Sequence, residues 1–231
     1  MKLSKLFFLV IVILIASVTN TFAQRSELQK AEERVNSASE VMREVMKIDD
    51  KAIPRDILKN AWAVVVFPGV LKGAFIVGGQ GGKGVVIRKL ADGTWSAPAF
   101  LNITGASFGA QIGGQKIDYI LVVRNDSGLK GLLEDKFEIG GEASVAAGPV
   151  GRAAAASTNP TLNAGILSYS RAQGLFAGVS LKGAIISQDK DMNMAIYQKS
   201  AKGLLIDSVT PWTAAPESLQ MFPITVTQYA K

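Results

Sequence analysis

Between Tyr169 and Ala184 the chain reads Tyr-Ser-Arg-Ala-Gln-Gly-Leu-Phe-Ala-Gly-Val-Ser-Leu-Lys-Gly-Ala, two β-like runs broken by glycines at 174, 178 and 183. Glycine weakens a strand, so repeated glycines inside β-like sequence mark bends, bulges or close backbone approach. The same texture recurs upstream. Ala61 to Phe67 is a valine-rich run ending at Pro68-Gly69 and reads as a buried strand. Gly73 to Val77 and Val85 to Leu90 read as strands around the glycine-rich stretch 78–84, and Asp92-Gly93 turns the chain into Thr94-Trp95. Further strands are expected at 99–104, 107–112, 118–123, 142–147, 151–157, 164–171 and 175–187. Many short strands with glycine-rich turns argue for a closed or strongly curved sheet.

Helices flank this sheet. Leu28, Ala31, Val35, Ala38, Met42 and Val45 recur at spacings of three and four, which predicts an amphipathic helix over 26–47. Its polar face mixes both signs of charge, so docking on its own domain is preferred to lying on a membrane. A short helix is expected from Pro54 to about Asn60, others over Gly128–Glu134 and Asp191–Tyr197, and a last one from Pro216. The fold class is therefore α+β: N-terminal amphipathic helices packed on a glycine-rich, mainly antiparallel, strongly curved or barrel-like sheet. Residues 24–60 form the helical segment, 61–198 the β-rich core, and 199–231 a C-terminal segment packing on that core.

The first residues read differently. Lys2 and Lys5 precede an apolar run from Leu6 to Val18 that only Ser17 interrupts, and Thr21-Phe22-Ala23 resembles a cleavage site. This is the pattern of a secretory signal peptide over 1–23, too short to span a bilayer as a helix. It predicts a mature chain beginning at Gln24 and working outside the cytoplasm. Loss of Lys2 and Lys5 leaves 23 cations against 19 anions, a net charge of +4. That excess is too diffuse to argue for nucleic acid. The absence of cysteine excludes both disulfides and an acylated-cysteine anchor. The absence of histidine excludes imidazole-based catalysis and metal sites, so neither cofactor nor metal is expected.

Two motifs invite chemistry and fail on context. Gly79-Gln80-Gly81-Gly82-Lys83-Gly84 fits the dinucleotide pattern G-x-G-x-x-G, but Val85-Val86-Ile87 favours a strand where that mechanism needs a helix. Glu134, Asp135, Glu138 and Glu142 are carboxylates of the kind that hydrolyse glycosides, yet they lie beside Lys130 and Lys136 as a solvated loop would. A carboxylate-dependent hydrolase is the weakest of the functional readings.

Several separate segments agree, in order, with one family. Trp95-Ser96-Ala97-Pro98, Gly109-Ala110-Gln111-Ile112-Gly113-Gly114-Gln115, Ala147-Gly148-Pro149-Val150-Gly151-Arg152 and Tyr169 to Ala184 together resemble the SYLF domain family. The resemblance runs from about Ile53-Pro54 to about Tyr197. It implies a non-enzymatic lipid-binding protein, since eukaryotic members bind phosphoinositide membranes and, in yeast, actin filaments. Behind a signal peptide the lipid is kept and actin is not expected; the simple leader and bare domain point to a bacterial periplasm or envelope. The candidate contacts to an anionic phospholipid or related amphiphile are Lys72, Lys83, Arg88, Arg152, Arg171 and Lys182, with Trp95 as a stacking or interfacial ring. For Trp95 a place in the core is preferred. The alternative architecture is an integral outer-membrane β-barrel, against which stand few aromatics and the amphipathic helices.

Overall fold

The valine run lies at the centre of the molecule. In the computed structural model, which describes residues 26–48, 52–74, 78–107, 113–139, 145–151 and 164–231, each residue from Ala63 to Phe67 has no exposed surface. It begins strand β1 (Ala63–Ala74), which pairs antiparallel with β2 (Gly78–Arg88) on one side and β4 (Gly113–Val123) on the other. β3 (Ala99–Ser107) continues the sheet from β2, and β9 (Ala184–Gln188) and β5 (Phe137–Glu138) follow it. Beyond β4 come β7 (Ile166–Ala172) and its two partners, β6 (Val145–Ala147) and β8 (Leu175–Gly178). The result is a strongly curved half-barrel, antiparallel at every described pairing except β6 with β7.

Alternation along β1 explains why it is apolar throughout. Val64 and Val66 face a cluster shared with helix α1 (residues 26–46) and helix α5 (Met221–Tyr229), through Val35, Met42, Phe222 and Val226. Ala63, Val65 and Phe67 face a second cluster, closed by helix α3 (Asp126–Leu132) through Leu129 and Leu132, and by Leu204 and Leu205. A strand covered on both faces has no solvent side for polar residues. The stripe of α1 meets the first cluster as its spacing predicts, with Ala31, Val35, Ala38, Met42 and Val45 fully buried. Helix α2 (Arg55–Lys59) starts after Pro54, which serves as its N-cap, and α4 (Lys190–Tyr197) is capped by the Asp189 carboxylate.

Three expectations change. Pro68-Gly69 does not end the first strand but forms a bulge inside it, and pairing resumes at Val70 and Leu71. Proline has no amide to lose from the ladder, and Gly69 takes φ +58° at no steric cost. The glycines at 78–84 are not a turn between strands; they are strand β2 itself. Their lack of side chains admits bulk from β1, since a Cβ at Gly84 would enter the Phe67 ring. The run 175–187 is two strands, β8 and β9, joined by a turn at Val179–Gly183. The last helix begins after Pro216 as a short 3-10 turn, Glu217–Leu219, before α5. Residues 1–23, the expected strands over 151–157 and most of 107–112, and Gly109 to Ile112 of the family segments lie outside the described residues.

One glycine from each of the stretches 169–184 and 147–151 meets the other beside one ring. Tyr169 is fully buried and stacks on Phe176 at 5.6 Å between centroids. Gly148 passes directly across the phenol, and Gly178 lies against the Gly148 carbonyl. A methyl group has no room at either position. We expect Gly148→Ala and Gly178→Ala each to lower stability by about 1–3 kcal/mol, the usual cost of overpacking. The check is the urea midpoint of each variant; wild-type midpoints would show that the backbones separate freely here.

Candidate functional site

At one end of the half-barrel the bulge decides which side chains meet. Ala63, Val65 and Phe67 face the second cluster, and past Pro68-Gly69 the facing shifts by one residue, so that Val70 joins them. Lys72 follows Val70 on that side, opposite Gln80 on β2 and Gln115 on β4. The chain from β8 to β9 then crosses from the β7 side of the sheet to the β3 side. This crossing is held at both ends. Ser168 Oγ donates to the Val179 carbonyl at 2.5 Å, and the Gly183 amide donates to the Ile139 carbonyl at 2.8 Å. Leu181 is buried between them.

Beneath the crossing is a cavity of about 340 Å³. Lys72 and Lys182 line it together with Gln80, Tyr119, Ser170 and Ser180, and its apolar wall is Ile117, Ala172, Val179 and Leu181. Among the described residues no carboxylate lines it. Tyr119 donates to Gln80 Oε1 at 3.2 Å, and burial pushes its phenol above the usual range, so it remains a neutral donor. Two cations, several neutral hydrogen-bonding groups and an aliphatic wall suit an oxyanion carried on an apolar stem. Nearby, Leu71 and Leu175 are 59% and 76% exposed. The register of β4 with β1 and β7 places both at this same end.

The other candidates are not gathered here. Lys83 sits on the α1 side of the sheet, 3.5 Å from Asp189, which Arg34 holds at 2.8 Å. Arg88 lies at the opposite end of β2, eight residues from Gln80, or roughly 25 Å along the strand. Arg152 lies outside the described residues. Trp95 is 1% exposed and packs in the first cluster, so its ring is core and not a surface platform. Arg171 is committed to structure: its Nε and Nη2 donate to Asp118 Oδ2 at 2.9 and 2.7 Å, and its Nη1 donates to Glu44. Gln80, Tyr119, Ser170 and Ser180 escaped the sequence reading. Only the facing of each strand could have found them, and the bulge hides it.

The carboxylate group is dispersed on the surface. Glu134 and Glu138 are exposed, and Asp135 pairs with Lys190 at 2.7 Å, a hydrogen bond and charge that lower its pKa. Glu142 lies outside the described residues. Among the described residues no group of acidic side chains is placed to hold a metal ion.

Replacing Arg171 should therefore act on stability. Arg171→Gln leaves Asp118 and Glu44 without their cation, and we expect a loss of about 2–3 kcal/mol, with vesicle binding retained by the folded fraction. Thermal denaturation beside flotation separates the two effects. A variant of wild-type stability that no longer floats would return Arg171 to the ligand site.

The sequence is similar to known proteins over most of its length. The family model described as "Las17-binding protein actin regulator" (Ysc84) matches residues 104–223. LAS seventeen-binding protein 3 of Saccharomyces cerevisiae is 35% identical over 167 residues, covering 70% of this chain and 36% of that protein. Human SH3 domain-containing YSC84-like protein 1 is 31% identical over 189 residues, covering 79% of this chain and 55% of that protein. The chain thus spans between about a third and just over half of these relatives' length.

Proposed function

Since the chain belongs to the Ysc84 (SYLF) family, we propose that it is a non-enzymatic, extracytoplasmic protein that attaches peripherally to anionic phospholipid or a related amphiphile. The observation that carries this reading is the convergence of Lys72 and Lys182 on one cavity with an aliphatic wall and, among the described residues, no carboxylate. An anionic head group would sit between the two lysines, with the adjoining apolar stem against Ile117, Val179 and Leu181. Leu71 and Leu175 would enter the bilayer beside it. Each cation near an anionic surface contributes about 1 kcal/mol, and burying a leucine side chain contributes about 1.5–3 kcal/mol, so the pair of each suffices for reversible attachment.

The names of the relatives refer to Las17, to actin regulation and to SH3 domains. Those partners do not pass to a secreted chain, because actin is cytosolic; the leader-like segment 1–23 supports that separation. Helices packed on one face of the sheet favour peripheral attachment over a membrane-spanning barrel, whose outer face must be free to meet lipid.

Flotation with vesicles tests the reading. The mature chain should rise with vesicles containing anionic lipid, and less so as salt is raised. Lys72→Gln combined with Lys182→Gln should weaken binding by roughly thirtyfold, the equivalent of about 2 kcal/mol. No flotation at any anionic lipid content would overturn it. The compartment is tested separately by intact mass of the protein from its native envelope fraction, expected to begin at Gln24; a full-length cytosolic product would reject the secreted assignment.

A further inference from the structure

The opposite end of the half-barrel holds a second concentration of positive charge with a different character. Lys59, Arg88 and Lys89 line a cleft of about 340 Å³ where α2 meets the end of β2, and Trp62, 41% exposed, forms part of its wall. Elsewhere the protein neutralises cations set into its framework: Arg34 with Asp189, and Arg171 with Asp118 and Glu44. None of the three cations in this cleft has an ion pair among the described residues, and no carboxylate lines it. Asp92, close in sequence, is turned onto the Thr94 amide and hydroxyl instead.

Two of the cations are already positioned. Arg88 Nη1 donates to the Leu205 carbonyl at 2.6 Å, while its buried Nε has no partner in the protein. Lys89 Nζ donates to the Lys59 carbonyl at 2.6 Å and lies 5.8 Å from the centre of the Trp95 ring. Holding like charges together without a counter-ion is unfavourable, and a bound oxyanion removes that cost. Pre-set side chains lose little further entropy when it binds. The exposed Trp62 indole in the cleft wall offers a flat apolar face.

We infer that this cleft is a second binding site, for an oxyanion (phosphate or carboxylate) carried on a planar or apolar body. The oxyanion is held by Lys59 and Lys89, and the body lies against Trp62; Arg88, bonded to Leu205 on the other face of the strand, adds its charge from behind. The site is independent of the lipid-binding end, from which the length of β2 separates it.

Isothermal titration calorimetry with phenyl phosphate tests this, with inorganic phosphate and phenol as separate arms. Phenyl phosphate should bind saturably, and more tightly than either half alone. Trp62→Ala and Lys59→Gln, both at exposed positions, should each weaken it by about tenfold, the scale of one charge-assisted contact. Lys72→Gln with Lys182→Gln should leave it unchanged, and Trp62→Ala should leave vesicle flotation unchanged. Absence of saturable binding by the folded wild-type protein would overturn the site. So would binding that survives both cleft variants. Equal affinity for inorganic and phenyl phosphate would overturn the role of the indole. Loss of vesicle flotation in Trp62→Ala would instead make the cleft part of the membrane surface and overturn its independence.

Discussion

Four elements meet at one guanidinium. Arg171 on β7 grips Asp118 on β4 and reaches Glu44 on α1, while the second oxygen of Asp118 takes the Gly69 amide of β1 at 2.7 Å. That amide is available only because the bulge at Pro68-Gly69 breaks the ladder there. The bulge and the ion pair thus depend on each other. The amide released from the ladder finds its acceptor in Asp118, and that partly buried carboxylate needs its cation. Together they fix the facing of β1 beyond the bulge, and hence the side on which Lys72 stands.

Much of the fold was legible because it rests on periodicity. The stripe Ala31, Val35, Ala38, Met42, Val45 could belong only to a helix with one buried side, and α1 buries it. The valine run 63–67 could belong only to a strand covered twice. What escaped was local chemistry whose meaning depends on a partner strand. Gly78 to Gly84 has the composition of a turn, and becomes a strand because Phe67 and Val70 across the ladder need the space its side chains would occupy. Pro68-Gly69 has the composition of a terminus, and becomes a bulge because Asp118, 49 residues away, receives the freed amide.

The candidate site was legible only as a list of cations. Composition and spacing could nominate Lys72, Lys83, Arg88, Arg171 and Lys182 but could not sort them. Sorting requires knowing where each strand faces, and one inserted residue at the bulge reverses that for the rest of β1, Lys72 included. The structure separates them by surroundings: Lys72 and Lys182 at a cavity that no described carboxylate lines, Arg171 between two acids, and Arg88 in a second cleft with Lys59 and Lys89.

Among the described residues the sheet is open, and its outermost strands are short: two residues in β5, three in β6 and four in β8. An open sheet recruits a further strand when its margin is long, flat and unpaired. Among the described residues the long strands are interior, and these margins offer few amides in register to template another chain. Along them, copies crowded side by side on a surface have little ladder to share. In a chain with no cysteine to lock its topology, that brevity at the margins guards the identity of the single molecule.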